Sequence, residues 1–178
     1  MKIIITGTDT KFAEEAALSL QKTNDDLQVA PVFTTDLNMK GKTGETCYYM
    51  SNEEVELSYK NNAFMWVRTN DTISRGVTKP DMYMYNVFYM SFSDFNNISS
   101  PVIAELDKDP NFIICVIDKK DKKGKTDIYD ARGALERIYE HHYLYFLDCT
   151  VQEITDMIFK YIVADDDERQ RIEDSLNS

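Results

Sequence analysis

Four short apolar runs constrain this chain more than anything else in it. They are residues 2–6 (Lys-Ile-Ile-Ile-Thr), 85–92 (Tyr-Asn-Val-Phe-Tyr-Met-Ser-Phe), 112–117 (Phe-Ile-Ile-Cys-Val-Ile) and 143–147 (Tyr-Leu-Tyr-Phe-Leu). Each is too short for a buried helix, and the β-branched and aromatic content is high. Runs of this kind are strands covered on both faces, as in a parallel sheet. Helical patterns separate them, so the fold class expected is α/β, a three-layer parallel-sheet core.

The first helix is expected over 11–23, with Glu14 and Glu15 near its positive end. Residues 27–34 read as a second strand, which Pro31 marks as an edge or a bend. Residues 35–45 are loop. A short strand at 47–50 precedes Ser51 and Glu54, spaced as a capping box that opens a helix to about Lys60. Residues 64–68 form a strand and Asn70-Asp71 a turn. Pro80 leaves 77–83 open between strand and helix. Helices are expected at 99–107, 127–141 and 150–163, and the acids at 165–168 open a polar tail helix. The stretch from 34 to 84 is richer in short alternating strands and reads as an antiparallel lobe inserted into one domain, whose core is 1–33 and 85–178.

Net charge is −11, which argues against a nonspecific nucleic-acid binder. Cys47, Cys115 and Cys149 are odd in number and widely spaced, so buried free thiols are expected and no metal site. The chain starts directly with a strand, and no apolar stretch approaches the roughly 20 residues that span a bilayer. A cytoplasmic location without membrane contact is expected.

Between the first strand and the first helix stands Gly7-Thr8-Asp9-Thr10-Lys11-Phe12, where a phosphate-binding loop would sit. Such a loop needs Gly-x-x-x-x-Gly-Lys-Ser/Thr: glycines that let backbone N–H groups converge, a lysine at fixed offset, and a hydroxyl for Mg²⁺. Gly7 is the first glycine and the next is Gly41. Lys11 follows Gly7 by four positions instead of six, and Phe12 and Ala13 stand where the hydroxyl belongs. Gly7, Thr8, Thr10 and Lys11 are the phosphate-binding candidates of a degenerate loop.

Local wording then points to a family. Thr34-Thr35, Gly44-Glu45, Tyr48-Tyr49-Met50-Ser51, Glu53-Glu54 and Lys60-Asn61-Asn62-Ala63-Phe64, in that order, resemble the guanylate kinase family of nucleoside monophosphate kinases. The resemblance implies a P-loop core, a lobe for the acceptor monophosphate, a lid of arginines, and transfer of a phosphoryl group from ATP with Mg²⁺. It also implies site positions. Asp36 stands where the family has an arginine on the acceptor phosphate, with Lys40 or Lys42 in place of a second one. Thr35, and Tyr48 or Tyr49, match acceptor-phosphate contacts. Trp66 falls near the guanine-reading glutamate, and Asp94 is the nearest acid to the family's acidic strand end. The lid segment, 118–127, carries Lys119, Lys120, Lys122, Lys123 and Lys125 in place of arginines, followed by Arg132 and Arg137.

Each candidate has a plainer reading as well. Lys11 can be a solvated first-turn lysine and the lysine run an exposed loop. Trp66 with Tyr48, Tyr49 and Phe64 can be lobe core. Tyr83, Tyr85 and Tyr89 recur at strand spacing and suit core or an interface, including one between copies of the chain. His141-His142, adjacent on a helix, cannot serve one metal. Phosphate loop, acceptor arginine and base reader depart together. That favours a binding module for a nucleotide or a protein that has lost phosphoryl transfer; the alternative is a divergent monophosphate kinase using ATP and Mg²⁺. Tyr-, Asn- and Lys-rich, Gly-poor usage suggests a divergent lineage such as a phage genome.

Overall fold

The structure is a computed structural model and describes every residue except Thr43 and residues 124–131. Strand β1 (Ile3–Gly7) leads into helix α1 (Thr10–Thr23). Then come β2 (Val32–Thr34), β3 (Cys47–Tyr49), α2 (Asn52–Lys60), β4 (Phe64–Asn70), β5 (Ile73–Thr78) and α3 (Lys79–Met84). The chain continues with β6 (Val87–Ser91), α4 (Phe92–Asn96), α5 (Ser100–Leu106), β7 (Ile113–Asp118) and α6 (Arg132–Ile138). It closes with β8 (Tyr143–Leu147), α7 (Val151–Val163) and α8 (Asp166–Asn177).

Four of these strands form a parallel sheet in the order β6-β1-β7-β8. They are the four apolar runs. Ile3, Ile4, Ile5 and their neighbours Ile113, Ile114 and Cys115 have no exposed surface, because helices cover both faces. α1 and α7 pack on one side, where Thr155 donates to Ser19 Oγ at 3.2 Å, and α4 and α6 pack on the other. Burying each isoleucine contributes about 2 kcal/mol, so this sheet is the rigid base of the molecule.

The remaining strands form a second sheet, β3-β2-β5-β4. It is mixed: β2 pairs antiparallel with β5 but parallel with β3. That corrects the antiparallel expectation. The strand expected over 27–34 also divides. Val29 bridges to Val87 at the edge of the first sheet, and after Pro31 the chain enters β2 in the second. Proline has no N–H for a ladder, so the crossing falls there.

Sequence pattern missed β5 altogether, because Ile-Ser-Arg-Gly-Val-Thr lacks an apolar period. Pro80 sits in the first turn of α3, where a missing N–H costs nothing, and Thr78 caps that helix by accepting from Asp81 N. The run at 85–92 begins as strand only at Val87. Tyr83 is exposed on α3, Tyr85 half-buried and Tyr89 buried in β6, so the three do not share a strand face. Of the helix expected at 127–141, residues 127–131 lie outside the described residues and the helix ends at Ile138. α8 is no free tail: Asn177 accepts from Tyr145 N and donates to Tyr143 O, closing the open edge of β8. Cys115 is buried, whereas Cys47 and Cys149 are only half-buried; all three are free.

Candidate functional site

The C-terminal ends of β1, β6 and β7 meet the N-terminus of α1, the place where an open α/β sheet binds ligands. Only Thr8 and Asp9 connect β1 to α1. Asp9 is the N-cap, its carboxylate accepting from Phe12 N at 3.0 Å. A negative group of the protein's own thus stands on the helix N-terminus that would otherwise attract phosphate. Gly7 is demanded by packing. A Cβ there would lie 2.5 Å from Ile117 O on β7, so the glycine permits close approach of two strands. Thr8 and Lys11 are exposed and Thr10 is half-buried as the first residue of α1. The four phosphate candidates adjoin one another at the start of α1.

The lid lysines fall nearby. Lys119 lies over the Phe12 ring, its Nζ 3.6 Å from the centroid, which covers the helix start. Beneath it, buried Asp118 accepts from Lys119 N and from the Tyr145 hydroxyl. Burial, and then the contact with Asp118, push the Tyr145 phenol well above its ordinary range. Lys122 and Lys123 are exposed. Lys125 lies outside the described residues, and Arg132 is placed only as the first residue of α6. Against the ATP and Mg²⁺ that the resemblance implies, this end sets a two-residue connection and a carboxylate on the helix N-terminus.

The second sheet presents a different arrangement. Residues paired in register share a face, and Tyr49, Thr34, Arg75 and Arg68 pair in sequence across β3, β2, β5 and β4. They form one lateral row. It faces the parallel sheet, because Arg68 Nε lies 2.6 Å from Asp94 Oδ1 on α4. That contact is an ion pair without hydrogen-bond alignment. Asp94 is 2% exposed and also accepts from Ser91 N, capping α4. It therefore serves structure and offers no face to a metal. Arg75 is exposed and, among the described residues, makes no hydrogen bond or ion pair.

A second row on the same face, Cys47, Val32, Val77 and Trp66, turns into the core. Trp66 is 2% exposed, so its ring sits in the core, the plainer of the two readings. Tyr48 points to the other face and donates to Asp81 Oδ2 at 3.0 Å, so of the two tyrosines Tyr49 is the one on the cleft row. Thr35 is tied to β5, accepting from Ser74 N at 2.8 Å. Asp36 caps a single 3-10 turn by accepting from Asn38 N.

The two halves are joined at Thr46. Its hydroxyl donates to Glu14 Oε1 on α1, and its carbonyl accepts from the Tyr89 hydroxyl. Burial pushes the Tyr89 phenol up to about 12. Burial likewise raises the Cys47 thiol, with Arg75 pulling it down and Glu14 and Asp36 adding to the rise. Arg75 and Arg68 are the residues that sequence reading missed. Their signal is the pairing register, which no local pattern carries. The histidines go separate ways, His141 to Asp107 and His142 to Glu173. Among the described residues no group of three or more His, Cys, Asp or Glu could hold a metal, and no helix is long and apolar enough to cross a membrane.

No protein-family profile matches the sequence, and no curated protein does. The fold does have counterparts among solved structures. Guanylate kinase from Anaplasma phagocytophilum superposes with a TM-score of 0.58 over 91% of this chain and 84% of that one, at 12% identity. The chain therefore has a guanylate-kinase-like fold.

Proposed function

We propose that this chain is a guanylate-kinase-like binding module that does not transfer phosphoryl groups, and that it holds a phosphate-bearing ligand, a nucleoside monophosphate in the first instance, against the row Tyr49–Thr34–Arg75. The observation that carries the reading is Asp9 on the N-terminus of α1 after a two-residue connection. Phosphoryl transfer is mostly positioning and charge neutralisation around the donor's phosphates, and this end offers a carboxylate in their stead. The acceptor side supports a ligand instead. A guanidinium that is exposed and, among the described residues, makes no hydrogen bond or ion pair stands in one row with a phenol, and the pair suits the fork geometry of a phosphate monoester.

The test is a coupled assay with ATP, Mg²⁺ and a panel of nucleoside monophosphates, run beside calorimetry on the same monophosphates. Saturable binding without turnover is expected, weakened about 10- to 100-fold by Arg75→Ala, the range for a hydrogen bond to a charged group. Turnover at about 1–10³ s⁻¹ for any acceptor would replace this reading with the divergent kinase.

A further inference from the structure

α8 is joined to α7 by Ala164 and Asp165 alone, both extended, at φ −73° and −74°. Neither is glycine or proline, and alanine is the best of the helix formers. With these two residues helical, α7 and α8 would run on as one helix from Val151 to Asn177. Short hinges invite the exchange of identical elements between copies of a chain.

Arg169 holds the bend. The last carbonyls of α7 lose their intrahelical partners where the helix stops. In a continuous helix Tyr161 O and Ile162 O would accept from the N–H groups of Asp165 and Asp166. Here the Arg169 guanidinium takes those places. Its Nε donates to Tyr161 O and its Nη2 to Ile162 O, each at 3.1 Å, while its Nη1 donates to Asn111 Oδ1 at 2.7 Å. On an unbroken helix Arg169 would lie about two turns beyond both carbonyls, out of reach. Asp166, Asp167 and Glu168 in the first turn of α8 favour the bend as well, because the positive helix end beside them exists only while α8 starts there.

We infer that α8 is an exchangeable element: two copies of this chain trade it by straightening at Ala164–Asp165, and Arg169 is the latch that opposes the trade. The occupant of each vacated seat follows from contacts that the fold already makes. Asn177 pairs with the backbone of Tyr143 and Tyr145 on β8, Glu173 accepts from the Tyr161 hydroxyl at 2.6 Å, and Ile172 is buried. α8 of a second copy makes the same contacts, so the exchange needs no new interface. Val163, the last residue of α7, is 82% exposed beside the hinge, an apolar side chain for the second chain to cover. The inference goes beyond the proposed function and does not depend on Arg75.

Light scattering on size-exclusion fractions of the full chain, incubated at high concentration near the onset of thermal unfolding, counts the copies. The native protein is expected to be chiefly monomer. Arg169→Ala frees both carbonyls and raises the dimerisation constant about tenfold or more per latch, the range for hydrogen bonds to a charged group. Asp166→Pro then separates exchange from any other association. Proline suits the first position of a helix, so the bend is kept, but inside a continuous helix it offers no N–H to Ile162 O and clashes with it. Combined with Arg169→Ala, it is expected to return the protein to monomer. Circular dichroism verifies folding, and Arg169→Lys, which cannot bridge both carbonyls, replaces Arg169→Ala if that variant does not fold. An unlatched variant that stays monomeric up to its solubility limit would overturn the inference. So would dimers that persist with Asp166→Pro.

Discussion

The β1–α1 end of the parallel sheet and the face of the second sheet differ in how they treat charge. At the β1–α1 end the protein meets the helix N-terminus with its own Asp9 and lays Lys119 over Phe12. On the second sheet it pairs one arginine of the row with Asp94 and leaves the other in solvent. The first wall is internally neutralised; the second keeps an unneutralised cation. The proposed anion seat therefore lies where the fold does not consume its own charges.

The row itself offers the sharpest way to break that contrast. Arg68 and Arg75 are register partners on one face, yet their losses should differ in kind. Arg68→Ala strands Asp94, which is almost fully buried. Removing one partner of a buried pair costs about 3 kcal/mol, and the measurement is chemical denaturation. Arg75→Ala should leave the denaturation midpoint within experimental scatter and act on ligand affinity alone. Equal stability losses would mean that Arg75 is structural and the row holds no free anion seat.

Gly7 comes next. If it were kept for phosphate, Gly7→Ala would spare the fold and harm only binding. With a backbone oxygen 2.5 Å from the added carbon, overpacking of about 2 kcal/mol is expected, read as a lowered thermal midpoint without any ligand present. Asp9→Ala should cost less, about 1 kcal/mol for a lost N-cap. It should not create ATP binding, because two connecting residues cannot wrap a triphosphate. Calorimetry that detected ATP with Asp9→Ala would show that one carboxylate, and not the short loop, keeps this end closed.

How much of this is legible in the sequence follows from what each element depends on. The four core strands read from local composition, because a strand buried on both faces must be apolar throughout. The cap of α2 reads from Ser51/Glu54 because capping is a contact three residues apart. β5 did not read, since Arg75 and Gly76 are placed by pairing with Thr34 and Phe33, some forty positions away. The poor match of Gly7–Phe12 to a phosphate loop is visible in the sequence, but the contacts with Ile117 and Lys119 and the cap at Asp9 are encoded by no local spacing. Trp66 was ambiguous for the same reason: only the pairing with Val77 turns its ring into the core.

The smallest effect tests the seam between the two walls. Tyr89 on β6 holds the Thr46 carbonyl, and Thr46 in turn holds Glu14 on α1. Tyr89→Phe should cost about 1 kcal/mol at neutral pH, a typical hydrogen bond. Its pH dependence is more specific. Burial raises the folded phenol to about 12, against about 10 in an unfolded chain. A raised pKa means that the native state holds the proton more tightly. The contribution of Tyr89 is therefore complete below pH 10 or so and is lost as pH rises through 12. Denaturation midpoints followed over that window should fall less steeply for Tyr89→Phe than for the native protein. Parallel falls would mean that Tyr89 ionises without disturbing Thr46, and that the two walls are not coupled through it.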